Sequence, residues 1–298
     1  MTDPFLEYIA THGNASMIPL GGNGGDQLIR FAERRLLHNA GRTIAVPGER
    51  SDYIAYGGGG LFGIYDDLWV MQEIKPGPES LVFFPRACLW RDHQFLRSFI
   101  GEVRRMSRRI VVFARDPISF TQWTKATCWV GCDIEVHLSH DPVVLFDQRM
   151  EDDKVAIKAM LHQPCADTVG VFMRDDCESS YWPPFTVSGM NNIVYDPAFM
   201  SACPPMDSKN AISCCSHLTY LTICCFPQVV ITDRLHVMLA RWLFGLDTVL
   251  IPTAQHKVKA VWDHSIRHNA RNTQFAETLD DAIDILDDYE LVVEVTDG

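Results

Sequence analysis

Short apolar runs of strand length alternate with helix-length segments along almost the whole chain, and this alternation limits the possible folds more than any other property of the sequence. Leu81–Phe84, Arg109–Ala114, Ile134–Leu138, Thr168–Met173, Val229–Ile231 and Asp247–Ile251 read as buried strands. Gln27–Asn39, Asp92–Met106, Ile118–Lys125, Lys154–Leu161, Ala211–Ile223, Val237–Phe244 and Phe275–Leu286 carry helical spacing between or beside them. Strands that alternate with helices pair in parallel, because each helix must carry the chain back across the sheet. The expected fold is therefore α/β, with both faces of each sheet covered and ligands at the carboxyl ends of the strands. Arg42–Val46 and Asp52–Tyr56 add two strand-like runs near the start. A polar interval, Asp147–Asp153, reads as the crossing between two Rossmann-like domains, 1–148 and 149–298, that face each other across a cleft. The final helix is expected to pack back on the first of them.

A chain of 298 residues, 47% hydrophobic and 21% charged, can bury more than one core. Its net charge of −12 argues against nucleic acid as a partner, since such binders neutralise phosphates with a basic face. An anionic substrate would have to be met by a local cluster of cations. Met1–Leu20 lacks the apolar stretch of a secretory signal, and no window reaches the roughly 20 apolar residues of a membrane span, so a cytoplasmic protein is expected. The ten cysteines are scattered apart from Cys214-Cys215 and Cys224-Cys225, with His217 between them. Neighbouring cysteines do not easily point at one ion, so these read as buried thiols and no metal site is expected.

The strand Val229–Ile231 runs through Thr232-Asp233-Arg234-Leu235-His236 into a helix stopped by Gly245. With Thr232 or Asp233 as N-cap, the free N–H groups of the first turn would favour an anion, and the same turn carries a guanidinium and an imidazole. The alternative is that Asp233 only caps and Arg234 only pairs with a surface carboxylate. Earlier, Gly21-Gly22-Asn23-Gly24-Gly25-Asp26 precedes a helix but lacks the Lys-Ser/Thr ending of a P-loop. Asp26 is either a general base for a substrate hydroxyl or a plain N-cap. Gly58, Gly60 and Gly63 satisfy a dinucleotide pattern formally, yet Leu81-Val82-Phe83-Phe84 stands where a ribose-binding carboxylate belongs; Gly57–Gly60 then reads as a tight turn approached by a backbone or a sugar. Arg86, Arg115 and Asp141 are candidates by their place at strand ends, with Arg115 and Asp116 readable as an internal ion pair. Residues 181–205, with five prolines, read as a surface excursion.

Taken together, Gly24-Gly25-Asp26, Gly57–Phe62 with Gly58 and Gly59, Pro85, Phe113-Ala114-Arg115-Asp116, His140-Asp141-Pro142, Met173-Arg174-Asp175-Asp176, Thr232-Asp233-Arg234-Leu235-His236 and Lys257-Val258 follow one another as in the polysaccharide pyruvyl transferase family. The resemblance spans about Gly22 to Asp263, and Asp-Arg-Leu-His after a strand is its most specific part. It departs at Gly24, where a bulkier apolar residue is common, and over 181–205.

The resemblance implies a glycosyltransferase-B-like fold and transfer of the enolpyruvyl group of phosphoenolpyruvate onto two hydroxyls of a sugar or lipid-linked oligosaccharide, giving a pyruvate ketal without a cofactor. A donor with a phosphate and a carboxylate needs at least two cations, ideally arginines. Arg234 and Arg174 are the expected donor ligands, with Lys257 adding charge and Leu235 and Asp233 in the same turn. His236 suits the proton movements and Asp26 the hydroxyl proton. A nucleotide-sugar glycosyltransferase of the same fold and a non-catalytic sugar-binding module are the competing expectations.

Overall fold

The computed structural model describes residues 2–18, 23–45, 50–59, 61–62, 80–90, 93–106, 109–130, 134–174, 179, 185–196, 217–255 and 257–295. Two compact units emerge, one of Met1–Gly22, Ile29–Arg149 and Pro205–Ala211, the other of Asn23–Leu28, Met150–Pro204 and Ile212–Gly298.

The first unit contains α1 (Pro4–Thr11), β1 (Ala15–Met17), α2 (Gly24–Asn39, whose first turn belongs to the second unit), β2 (Tyr53–Tyr56), β3 (Leu61–Phe62), β4 (Ser80–Cys88), α3 (His93–Met106), β5 (Ile110–Ala114), α4 (Pro117–Val130), β6 (Ile134–Leu138) and α5 (Pro142–Arg149). Its sheet runs β1-β2-β4-β5-β6, every pair parallel, with β3 added beside the end of β4. Ile44 forms a parallel bridge to Ala15, using the N–H and C=O of Ala15 that β2 does not. The chain thus leaves β1 toward one side and returns to the other, so the winding reverses between β1 and β2. Such a reversal puts helices on both faces. Leu81, Phe83, Ile110 and Val112 pack with Phe95, Phe99 and Trp123 on one face. Their strand neighbours Val82, Phe84, Val111 and Phe113 pack with Phe5, Ile9, Leu36, Leu37 and Leu145 on the other. This is the period-two alternation of a pleated strand, with apolar residues on both sides because both sides are covered.

The expected strand Arg42–Val46 shrinks to that one bridge, and Val46 lies outside the described residues. Pro85 does not end its strand. β4 continues to Cys88, and the missing N–H falls in a register shift between Phe83 and Arg86, where a proline is tolerated. The internal Arg115–Asp116 ion pair, one reading of these residues, is also replaced. Asp116 caps α4, accepting the Ser119 N–H at 2.8 Å and the Ser119 hydroxyl at 2.6 Å, while Arg115 pairs with Asp141.

The second unit contains α6 (Glu151–Met160), β7 (Cys165–Phe172), β8 (Phe185–Val187), β9 (Asn191–Val194), α7 (His217–Cys225), β10 (Pro227–Thr232), α8 (Leu235–Phe244), β11 (Thr248–Leu250), α9 (Lys257–Val261, continued by a π-turn over Trp262–Ile266), β12 (Thr273–Phe275), α10 (Leu279–Asp287) and β13 (Val293–Val295). Its parallel sheet runs β12-β11-β10-β7-β9, and β8 pairs antiparallel with β13. Here again the chain steps from its first strand to one side and then returns to the other. The winding reverses between β7 and β10. Both units are Rossmann-like α/β folds of the same winding.

The division between the units falls at Arg149/Met150, within the interval Asp147–Asp153, while two expectations change in this unit. The interval Asp147–Asp153 is largely helical: α5 ends at Arg149, and Glu151, Asp152 and Asp153 fill the first turn of α6, where the helix dipole favours carboxylates. Residues 185–194 of the supposed excursion form β8 and β9, because alternate apolar residues Phe185 and Val187 enter the core; 181–184 and 197–205 lie outside the described residues. The last helix begins at Leu279, not Phe275, after a capping box of Thr278 and Asp281, and Phe275 ends β12. Ala282 and Leu286 of that helix pack with Val169, Ile231 and Val249 in the core of the second unit. No helix among the described residues is long and apolar enough to cross a membrane.

Candidate functional site

Parallel sheets expose ligand sites where their winding reverses, and in the second unit that point lies between the carboxyl ends of β7 and β10. β7 ends at Phe172, paired with Thr232, the last residue of β10. The Thr232 hydroxyl donates to Phe172 O at 2.6 Å and accepts the Arg234 N–H at 2.9 Å. Asp233, fully buried, accepts the backbone N–H of Arg174 at 2.9 Å. The two turns are thereby tied to each other, and neither Thr232 nor Asp233 is the cap that the sequence suggested. Arg234 itself occupies the N-cap position of α8, and Leu235 begins the helix and is buried in the core. The helix stops at Gly245, whose φ of 68° is the left-handed conformation of a C-terminal glycine.

The Arg234 guanidinium pairs with Asp196, which follows β9; the two side chains are only 8% and 5% exposed. β9 is the neighbour of β7, so strand order brings together residues 38 positions apart. The partner is therefore a buried carboxylate, not a surface one. Sequence reading gave no signal for Asp196, since it lies within the segment read as an excursion. Arg174 is half-buried, and Asp175 and Asp176 lie outside the described residues. Lys257 is the first residue of α9, after β11, and is 8% exposed.

His236, half-buried on the first turn of α8, meets the first turn of α2, which belongs to the same unit. A Cβ on Gly25 would fall 2.7 Å from Cβ and Cγ of His236 and nearer still to Nδ1. Only glycine lets the imidazole lie against the backbone there. Gly24 is the first residue of that helix and Asn23 its N-cap: the Asn23 side chain accepts the N–H groups of Gly25 and Asp26 at 2.9 and 3.2 Å. Asp26 reaches back to accept the Asn23 N–H at 2.9 Å, completing a capping box. Asp26 is thus the third residue of the helix and not its cap; the Asn-x-x-Asp spacing was the available signal. It is 8% exposed, and its charge adds to the burial that raises the Tyr220 phenol well above its ordinary value.

Gly25→Ala is expected to destabilise the second unit by about 1–3 kcal/mol, the usual cost of forcing atoms into a packed site, and to displace the His236 ring. Thermal melts and the imidazole proton resonances check it; an unchanged melt with unchanged resonances would show that the close approach is not there.

Gly58, Gly59, Arg115 and Asp141 belong to the first unit. Arg115 donates to Asp141 at 2.8 Å, both fully buried at the ends of β5 and β6, and this pair fixes the strand ends rather than facing solvent. Gly58 and Gly59 lie at the carboxyl end of β2. Cys224 and Cys225 are buried thiols, that of Cys225 pushed up to about 12 by burial; Cys214 and Cys215 lie outside the described residues. Among the described residues no group of three or more His, Cys, Asp or Glu is placed to hold a metal ion.

No protein-family model matches the chain. No curated protein matches it either. It is similar to the crystal structure of an uncharacterized protein from Klebsiella pneumoniae, with a TM-score of 0.62 at 20% identity over 92% of this chain and 96% of that one. That likeness shows the fold.

Proposed function

We propose that this protein is a pyruvyl transferase, moving the enolpyruvyl group of phosphoenolpyruvate onto two hydroxyls of a sugar or lipid-linked oligosaccharide to form a pyruvate ketal. The observation that carries the reading is the seating of His236 against Gly25, one residue from Asp26, on the helix turn that also presents Arg234. An imidazole and a guanidinium thereby lie on one helix turn at the switch point of one sheet, and a carboxylate follows the glycine against which that imidazole packs.

In this reading an acid protonates the methylene carbon of the donor, and a substrate hydroxyl attacks the adjoining carbon as it becomes cationic. Phosphate then leaves, and a second hydroxyl closes the ketal. One proton enters and two leave the hydroxyls, so the balance goes out with the phosphate. His236 supplies the acid, Asp26 takes a hydroxyl proton, and Arg234, Arg174 and Lys257 balance the donor's phosphate and carboxylate. The two α/β units are assigned, with the same reading, to a glycosyltransferase-B-like architecture, and the enzyme to the cytoplasm.

The test is incubation with phosphoenolpyruvate and pyranosides offering 4,6- or 3,4-diols, following phosphate release and pyruvyl addition by mass. Neither product from a folded enzyme across the panel, with no calorimetric donor binding, would end the reading. Arg234→Ala is expected to weaken donor binding by about 2–5 kcal/mol, the range for removing one partner of a desolvated charge pair. The Asp196 pair favours one rival, in which Arg234 is only structural. That rival predicts equal donor affinity in folded wild type and Arg234→Ala.

A further inference from the structure

The winding of the first unit also reverses, between β1 and β2, and at the carboxyl end of β2 the chain passes through Gly57, Gly58 and Gly59, all buried. Two buried side chains hold this turn. Glu33, from the middle of α2 and fully buried, accepts the Gly58 N–H on Oε1 at 2.5 Å. Its Oε2 is buried and has no hydrogen-bond partner among the described residues. Arg86, from β4 and 2% exposed, donates to Gly57 O at 3.4 Å and Gly59 O at 3.1 Å, with its guanidinium 4.4 Å from the ring centre of Tyr56. Side chains could not replace Gly58 or Gly59: a Cβ on Gly58 would meet Pro85 O at 2.6 Å, and Gly59 has a φ of 107°. The turn is therefore held in one shape by a carboxyl on one side and a guanidinium on the other.

We propose that Glu33 is a protonated latch: as a neutral acid it holds, with Arg86, the Gly57–Gly59 turn at the first unit's switch point, and on ionising it releases that turn. A buried carboxylate with one oxygen unpaired is costly, whereas a neutral acid can lie there with its second oxygen dry. Ionisation strengthens the single bond from Gly58 but leaves the charge without water, and moving the turn aside lets water in. The groups around Glu33 agree with this. Burial dominates and pushes its carboxyl up to about 7; the Gly58 N–H, Arg30 on the same helix and Arg86 on β4 pull the other way, and Asp141, beyond β6 and paired with Arg115, pushes up again. Since the folded value lies above the ordinary 4.5, the stability Glu33 contributes is full below about 4.5 and is lost as the pH rises through about 7.

This inference is independent of the proposed reaction, and its test needs no ligand. Hydrogen exchange of the peptide covering Gly57–Gly59, corrected for intrinsic rates, should show wild-type protection falling by up to tenfold per pH unit between about 4.5 and 7, the slope of one linked proton, and levelling off above about 7. Glu33→Gln, which keeps the shape and neutrality of the protonated acid, should hold its protection level over the same range. In infrared difference spectra between acid and mildly alkaline buffer, wild type should lose a protonated carboxyl band that Glu33→Gln never has. A flat wild-type profile, equal slopes in the two proteins, or the absence of that band would overturn the proposal. So would a Glu33→Gln chain that fails to fold, because the amide mimics the form claimed to be native.

Discussion

His236→Asn is expected to leave phosphoenolpyruvate binding nearly intact while slowing turnover by roughly 10²–10⁴-fold, the usual contribution of a positioned acid or base. Asparagine keeps a polar side chain of similar reach in the site beside Gly25 and removes the imidazole that would carry the proton. The ring is half-buried on the first turn of α8, so a merely structural histidine would give a different result: a lower melting temperature with unchanged turnover per folded molecule. Calorimetric titration with phosphoenolpyruvate beside single-turnover phosphate release separates the two. Loss of donor affinity equal to that of Arg234→Ala would instead move His236 from proton transfer to anion binding.

Arg241→Met is expected to cost more than about 4 kcal/mol of stability and to leave the chain largely unfolded at physiological temperature. Arg241 is fully buried in α8. Its Nε donates to the Thr248 hydroxyl at 3.1 Å, and its terminal nitrogens donate to four carbonyls, those of Cys224, Pro227, Gln228 and Asp247, at 2.7–2.9 Å. All five donors of the guanidinium are used. Burial lowers its pKa only to about 10, so it stays charged at neutral pH. Methionine fills a similar volume but removes the donors those carbonyls use, although Asp247 O keeps the Val230 N–H at 3.2 Å; each buried acceptor left unmet costs about 1–3 kcal/mol, with partial relaxation reducing the sum. Chemical denaturation checks this; a loss under about 1 kcal/mol would show that the carbonyls find other partners. Arg241→Lys should fall between, since an ammonium cannot reproduce the planar fork.

These two residues show what the sequence makes legible. The strands were readable because β-branched and aromatic runs such as Ile110-Val111-Val112-Phe113 are buried on both faces and show no polar interruption. The place of His236, on the first turn of a helix that follows a strand, was readable because the apolar run after Val229–Ile231 has helical spacing. Arg241 sits in an apolar helix with nothing nearby in sequence to mark it, and the carbonyls it serves lie 6 to 17 residues away. Asp196 and Glu33 were invisible for the same reason: their partners, Arg234 and Gly58, are brought to them by strand order and helix crossing, not by spacing. Pro85 misled because a register shift accommodates it, and Phe275 because its apolar side chain serves a strand as well as it would a helix.

The antiparallel pair of β8 and β13 joins Phe185 to Val295 and Val187 to Val293, and it has a consequence for synthesis. At about 5–20 residues per second, the ribosome needs roughly 5 to 20 seconds to make the chain between these strands. Until then Phe185 and Val187, 5% and 1% exposed once folded, lack the strand that completes their ladder. The second unit therefore passes through a nascent state with an open apolar edge, and slower translation or a chain shortened before Val293 would prolong exposure to chaperones and to other nascent chains.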